Sequence, residues 1–402
     1  MHTFDAESIE AIFRERFSTA GTVQLLWKGK ESFQIIFDAV RAAQKTVYLE
    51  FYIFRNDETG TELAELLKQK SREGVRVCLL YDHFGSFGTP KRFWNDLKAA
   101  GVWIRASRPF KWIAPFRYVH RDHKKLIVID SAKAFTGGLN IANEYSGLHL
   151  KLLEKGVPQK MLSEKMLGGR SGWRDTGIML EGPVVNELLV KFKKSWYAWG
   201  GEPLGETGFT RNQRKEALGE GIPVIPVFVS SARGRRRMRR LLYYSVNHAR
   251  RSITLTTAYF TPSRRMVETL ENAVNRGVRV RLLVPGRSDV PAASYAGRAF
   301  FVRLLKAGVE IYTYAGEILH AKTSIFDECW SIVGSANLDF RSMRYNDEGN
   351  IGILDAGFAA RMNEIFEEDL LFSEKIGLES WLRRPFCEKA KEHFFSLFRR
   401  RL

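Results

Sequence analysis

Residues 123–140 read HKKLIVIDSAKAFTGGLN, and residues 320–337 read HAKTSIFDECWSIVGSAN. Superposed, the two blocks share a histidine (His123, His320), a lysine two positions on (Lys125, Lys322), an aspartate (Asp130, Asp327), a glycine (Gly137, Gly334) and an asparagine (Asn140, Asn337). Chance rarely supplies five residue types at identical spacing even once. In each block an extended run, LIVI or TSIF, stops at the aspartate, and a second run follows before Gly-Gly or Gly-Ser. That pattern predicts a β-hairpin.

The duplication extends outward. Residues 46–54 (TVYLEFYIF) and 252–262 (SITLTTAYFTP) are β-rich aromatic runs. Each is followed by a helix-like stretch and a second strand, GVRVCLLYD at 74–82 and GVRVRLLVP at 277–285. LKAAGVWI at 97–104 and LLKAGVEI at 304–311 come next. Strand–helix–strand units of this kind predict an α/β fold of two similar lobes. With 402 residues, two domains are expected rather than one core. The polar, Gly-rich stretch 200–222 is the expected linker between lobes at 1–199 and 223–402.

Composition narrows the class. Sixty-three Lys+Arg against 45 Asp+Glu give a net charge of +18, which points to an anionic partner, nucleic acid or an acidic membrane. Hydrophobic content of 45% and charged content of 27% fit a globular chain. Three scattered cysteines, Cys78, Cys329 and Cys387, make neither a disulfide framework nor a zinc site and suit a reducing compartment. The amino terminus lacks the pattern of a secretory signal, and no apolar run is long enough to span a membrane.

On an extended strand, residues two apart project from one face, so each block places an imidazole beside an ammonium. Glycine lets the backbone approach a ligand, and Asn140 and Asn337 offer amide donors. Two His, two Lys and two Asn can hold a phosphate: the cations and amides stabilise phosphoryl oxygens, one histidine attacks phosphorus, and the other protonates the leaving oxygen. Cationic side chains supply these electrostatics, so neither metal nor cofactor is expected. His120, three before His123, has no matching carboxylate or cysteine pattern and is read as a non-metal residue.

These paired HxKxxxxDxxxxxxG[GS]xN motifs resemble the phospholipase D superfamily, and the chain looks most like bacterial cardiolipin synthases. The resemblance includes the Tyr52-Ile53-Phe54 strand, the 258–262 segment and Asn346-Asp347-Glu348. It implies a mixed sheet flanked by helices in each lobe and an active site at the pseudo-two-fold interface. It implies a covalent phosphatidyl-histidine, with His123 assigned as nucleophile and His320 as acid and base. The catalytic set carried over is His123, Lys125, Asp130, His320, Lys322 and Asp327, although the two aspartates, at strand ends, read as structural. It also implies an acid downstream of each motif that orients a histidine. Glu348 fits in the second half, and Asp175 is the counterpart in the first.

The expected activity is a phosphatidyltransferase that joins two phosphatidylglycerol molecules into cardiolipin and releases glycerol. A phospholipase or nuclease with water as acceptor is the alternative, and a non-catalytic anion-binding module is disfavoured because both motifs keep every reactive residue. Peripheral association with the cytoplasmic side of the cell membrane is expected, and nucleic acid is not the favoured partner. Four further stretches stay open between a functional and a structural reading. The insertion at 148–172 is a lid or acceptor-binding element, or a surface insertion. The aromatic and basic 109–118 segment is a membrane contact or a packed loop. The six arginines of 233–240 are a headgroup patch or a solvated helix start. The basic tail from Leu378 has Cys387, Ala390, Phe394 and Leu397 or Phe398 on one helical face, for a membrane or for the second lobe.

Overall fold

The computed structural model describes residues 4–109, 120–147, 172–205 and 221–399. Nearly all of the 148–172 insertion, most of the 109–118 segment and most of the 200–222 linker lie outside the described residues. The first half supplies β1 (Ser18–Ala20), β2 (Thr22–Leu26), β3 (Thr46–Phe51), β4 (Arg76–Asp82), β5 (Trp103–Ser107), β6 (Leu126–Ile129), β7 (Lys133–Gly137) and β8 (Gly177–Glu181). The second supplies β9 (Ile222–Val229), β10 (Ser252–Thr256), β11 (Arg279–Pro285), β12 (Glu310–Tyr314), β13 (Thr323–Phe326), β14 (Trp330–Gly334), β15 (Glu348–Leu354) and β16 (Ser373–Lys375).

Two mixed sheets result, ordered β2-β8-β7-β6-β3-β4-β5 and β1-β9-β15-β14-β13-β10-β11-β12-β16. In each, the strand of the aromatic run is central. β3 pairs parallel with β4 and antiparallel with β6, and β10 pairs parallel with β11 and antiparallel with β13. The parallel pairs need helical crossovers. Glu58–Arg72, capped by the Asp57 carboxylate on the Gly60 amide (2.9 Å), provides one, and Arg264–Asn275, capped by Ser263, the other.

The duplicated blocks form the expected hairpins, β6–β7 and β13–β14. Each turns through two residues of positive φ, Asp130 and Ser131 in one and Asp327 and Glu328 in the other. The aspartates make this conformation tolerable by bonding backbone. Asp130 accepts the amides of Gln44, Lys45 and Thr46 at 2.7–2.8 Å, and Asp327 accepts those of Arg250, Arg251 and Ser252 at 2.8–3.1 Å. Both tie the hairpin tip to the start of the central strand, at the end of β6 and β13 remote from the histidines. Asp130 and Asp327 are therefore fold-fixing residues, which corrects their place in the catalytic set.

The lobes share a core. Tyr48, Leu80, Val128 and Ile178 of the first sheet pack with Val224, Ile325, Val333 and Ile351 of the second. Helices Val184–Ala198 and Ala356–Leu370 complete this layer through Phe192, Trp196, Phe358 and Met362. Burying each such side chain is worth roughly 2 kcal/mol, so the interface is permanent rather than hinged. The boundary at 199 needs one correction: residues 4–20 belong to the second lobe. β1 pairs antiparallel with β9, and Phe4, Ile9, Phe13 and Phe17 sit in the core with Val246, Ile253 and Trp330, because only there is their apolar face covered.

Candidate active site

Both blocks enter the site through their histidine ends. His123, Lys125, His320 and Lys322 are all buried, each lysine lying two residues from its histidine in the extended segment before a hairpin. Each segment is clamped by backbone bonds to the opposite lobe. The His123 amide donates to the Asp347 carbonyl (2.9 Å), and the Asp347 amide donates to the Arg121 carbonyl (2.8 Å). In mirror fashion the His320 amide donates to the Arg174 carbonyl (2.7 Å), and the Arg174 amide donates to the Ile318 carbonyl (2.9 Å).

These bridges put each acid on the other lobe's histidine. Nδ1 of His123 lies 3.1 Å from Oε2 of Glu348, and Nδ1 of His320 lies 2.6 Å from Oδ2 of Asp175. Each half carries one of the two acids, and their spacing from the motifs did not reveal this exchange. Buried ion pairs beside the acids fix both bridges. Arg174 forks onto Asp369 at 2.8 and 2.9 Å. Asp347 takes Arg108 at 2.6 Å and Arg235 at 3.1 Å. Arg235, one of the six arginines of 233–240, is thus structural.

The glycine-rich steps make room for the acids. A Cβ on Gly138 would fall 1.9 Å from Oδ1 of Asp175. The matching position in the second half is Ser335, whose hydroxyl instead donates to Glu348. Asn140 spans the strand end: its Oδ1 accepts the Ile53 amide (3.1 Å) and its Nδ2 donates to the Tyr145 hydroxyl (2.9 Å). Asn337 accepts the Tyr259 amide (3.2 Å). Both asparagines line the cavity with the two histidines.

That cavity has a volume of about 420 Å³. Its walls include four aromatic rings around the imidazoles. Tyr52 stands edge-on to His123 at 5.0 Å, and Tyr145, Trp173 and Tyr259 surround His320 at 5.2–6.1 Å. Arg121, Arg341 and Asp289 also line it. Tyr52 and Tyr259 follow equivalent strands, so the duplicated aromatic runs carried their signal. Tyr145, Trp173, Arg121, Arg341 and Asp289 had none. Among the described residues no group of three His, Cys, Asp or Glu side chains could hold a metal ion. His120 bonds the Tyr345 carbonyl through Nδ1 (2.6 Å).

The electrostatics favour neutral imidazoles. Burial, then Lys125, lowers the pKa of His123; burial, then Lys322, pushes His320 down to about 4. Burial works to raise both acids, but the cations and histidines outweigh it and hold Asp175 and Glu348 below the ordinary carboxyl range. Lys322 also approaches Nδ1 of His320 at 2.7 Å, where only one proton fits. The carboxylate of Asp175 claims that proton, and the ammonium donates to the His320 carbonyl instead. Lys125 likewise donates to the His123 carbonyl (2.7 Å). With Nδ1–H fixed by a carboxylate, each ring carries its lone pair on Nε2, as a nucleophile or base requires. Burial, then mutual repulsion, brings Lys125 to about 7; burial brings Lys322 to about 8. A bound phosphate anion would stabilise both as cations.

The family model described as "Cardiolipin synthase, PLD-like domain" matches residues 36–151 and 242–370, taking in both hairpins, both histidines and Glu348. The chain belongs to this family. Members similar to it include the probable cardiolipin synthase YwiE of Bacillus subtilis, 31% identical over 95% of this chain and 72% of that protein. Cardiolipin synthase 2 of Bacillus anthracis is 33% identical over 92% of this chain and 69% of its own. In fold, this PLD-like chain is similar to the phosphatidylserine synthase of Haemophilus influenzae Rd KW20. The TM-score is 0.75 over 99% of this chain and 100% of that one, at 14% identity.

Proposed function

We propose that this enzyme condenses two phosphatidylglycerol molecules into cardiolipin and glycerol through a phosphatidyl-histidine. The observation that carries the reading is one cavity holding two imidazoles, each oriented by the opposite lobe's carboxylate, in a chain whose relatives are named cardiolipin synthases.

Nε2 of His123 attacks phosphorus, and a P–N bond forms as the bond from phosphorus to the glycerol oxygen breaks. His320, made imidazolium by the incoming phosphodiester's charge, passes its proton to that oxygen. Glycerol leaves. A hydroxyl of a second phosphatidylglycerol then attacks phosphorus, His320 takes its proton, and the P–N bond breaks to free His123. Lys125, Lys322, Asn140 and Asn337 carry the charge on the phosphoryl oxygens.

No described helix is long and apolar enough to cross a membrane. A diacyl substrate stays in its bilayer, so the enzyme docks there as a peripheral protein, on the cytoplasmic side. Phe84, 58% exposed at the cavity wall, and Phe87, 78% exposed, suit that contact. Their loop is rigid: Asp82 accepts the amides of Phe84 and Gly85 at 2.9–3.0 Å, and Ser86 donates to the Tyr52 carbonyl.

The test is purified protein on phosphatidylglycerol vesicles, with products resolved by mass spectrometry. Cardiolipin with an equivalent of glycerol is the expected result. Phosphatidic acid alone would establish the hydrolase instead.

A further inference from the structure

A second cavity, of about 240 Å³, lies behind the wall of the active site. The two are back to back. Tyr259 and Arg341 face the catalytic cavity, Pro262 and Arg344 face the second, and Asp339 borders both. Three guanidinium groups come from three segments: Arg239 from helix Ala232–His248, Arg265 from helix Arg264–Asn275, and Arg344 from the helix after the second motif.

Among the described residues none of these three arginines forms an ion pair with a carboxylate. They are held by other means. Arg239 donates to the Met343 carbonyl, Arg265 lies over the Tyr243 ring at 4.8 Å, and Arg344 lies over the Phe340 ring at 5.7 Å. The acid on the wall, Asp339, is engaged by the Ser342 amide at 2.6 Å. Such a concentration of like charge around a concavity calls for an anion.

Leu242, Met266, Leu338 and Met343 give the cavity an apolar floor, with Ser263 and the Tyr243 hydroxyl, which bond each other at 3.1 Å, as further polar groups. An adjoining cavity of about 310 Å³ adds Arg264 and Thr261. Thr261 is 1% exposed, and among the described residues its hydroxyl has no hydrogen-bond partner, a cost a ligand oxygen would relieve. Guanidinium forks beside an apolar floor match one ligand class, a phosphodiester joined to an acyl-bearing glycerol.

We infer that this Arg239–Arg265–Arg344 cavity is an accessory site that binds the headgroup of an anionic phospholipid beside the reacting pair, without taking part in the chemistry. It rests on the proposed lipid reaction only for the nature of the ligand. Two of the arginines flank the aromatic strand and the motif helix, so an occupied site would brace the wall that carries Tyr259 and Arg341.

The test uses the full chain and phosphatidylglycerol bearing a diazirine on one acyl chain, with labelled peptides mapped by mass spectrometry. Labelling within 239–243 or 262–266 is expected, besides labelling around the catalytic cavity. R265Q/R344Q should lose the first set by about a hundredfold, since it removes two charge-assisted contacts each worth about a factor of ten, and keep the second. An unchanged melting temperature would show that the variant folds; if it does not, R344K, which keeps the charge, must retain the labelling. Absence of the first set in the wild type, or its survival in the charge-removed variant, would overturn the inference. Complete protection by millimolar inorganic phosphate would make this a free-phosphate site, and complete protection by a short oligonucleotide a nucleic-acid site; either overturns the lipid assignment. Labelling does not require turnover. A protein that labels here but makes no cardiolipin refutes the proposed reaction and leaves this site standing.

Discussion

Glu348 of the second lobe holds the ring of His123 of the first at 3.1 Å, and the reciprocal contact, Asp175 to His320, is 2.6 Å. Neither lobe therefore contains a finished histidine–carboxylate pair. Asp175→Asn and Glu348→Gln keep shape but remove the charge that fixes the Nδ1–H tautomer. Each should lower kcat by up to about 10⁴-fold with little change in fold, the loss seen when a triad aspartate is made an amide. Turnover within threefold of wild type in either variant would show that the carboxylates only pack.

The two histidines should fail at different steps. His123→Ala should abolish all covalent labelling. His320→Ala should still form an adduct on His123 from a substrate whose leaving group needs no proton, then turn over slowly. Rapid quench at neutral pH followed by peptide mapping reads this directly. An adduct on His320 in the wild type would reverse the roles.

Gly138 offers a steric test of Asp175. A Cβ there would meet Oδ1 of Asp175 at 1.9 Å, whereas the second half tolerates Ser335 at the matching position. Gly138→Ala should cut kcat about a hundredfold, by turning the carboxylate off His320. Ser335→Gly should cost no more than about tenfold, the loss of one hydrogen bond to Glu348. Equal effects of both substitutions would rule out the steric account.

The depressed lysines set a pH window. Burial brings Lys125 to about 7 and Lys322 to about 8. An oxyanion such as tungstate should bind tightest below about pH 7 and weaken as pH rises through 8, when the cations lose their protons. Stability should move the other way. Above pH 7 the unfolded lysines, with an ordinary value of 10.5, hold protons that the folded ones release. Stability from these groups therefore rises with pH up to that ordinary value. By the same sign His320 contributes a loss of stability on acidification from 6.5 toward 4. Thermal melts with and without tungstate across pH 5–10 check both; binding flat across pH 7–9 contradicts the lysine assignment.

How far the sequence carried this site depends on the kind of information. Spacing recurs along a chain, so His123, Lys125, Asn140 and their partners were legible, and so were the hairpins. Exchange between lobes is a relation in space. Nothing in the intervals separating Asp175 or Glu348 from their motifs says which histidine each reaches. The residues 4–20 joined the wrong lobe for a similar reason: a three-residue strand and one helix have no periodicity that names their sheet. Arg235 read as one of six equivalent cations, yet only its position on the buried helix face brings it to Asp347. Tyr145 and Trp173, which wall His320, lie in stretches without a duplicate.

The last prediction concerns the tail, where packing and membrane contact were both open. Helix Phe386–Leu397 lies against helix Pro291–Arg298, with Phe395 stacked on Tyr295 at 5.8 Å and buried Glu392 paired with Arg384. The docked face is thus the one carrying Glu392 and Phe395. The face expected to be apolar points outward: Phe394 is 55% and Leu397 65% exposed, with Phe398 and Phe386 beside them. Arg383 and Lys389, both exposed, add positive charge to this end of the chain, which suits an anionic bilayer, each nearby cation adding about 1 kcal/mol. Replacing Phe394, Leu397 and Phe398 by Ser removes the outward apolar groups and leaves the Tyr295 contact intact. The melting temperature should hold, binding to phosphatidylglycerol vesicles should fall at least about tenfold, and added salt should weaken the wild type more than a charge-depleted tail. Flotation with unchanged binding by the triple variant would leave the Phe84 and Phe87 loop as the membrane contact, and F84S/F87S would then have to show the loss.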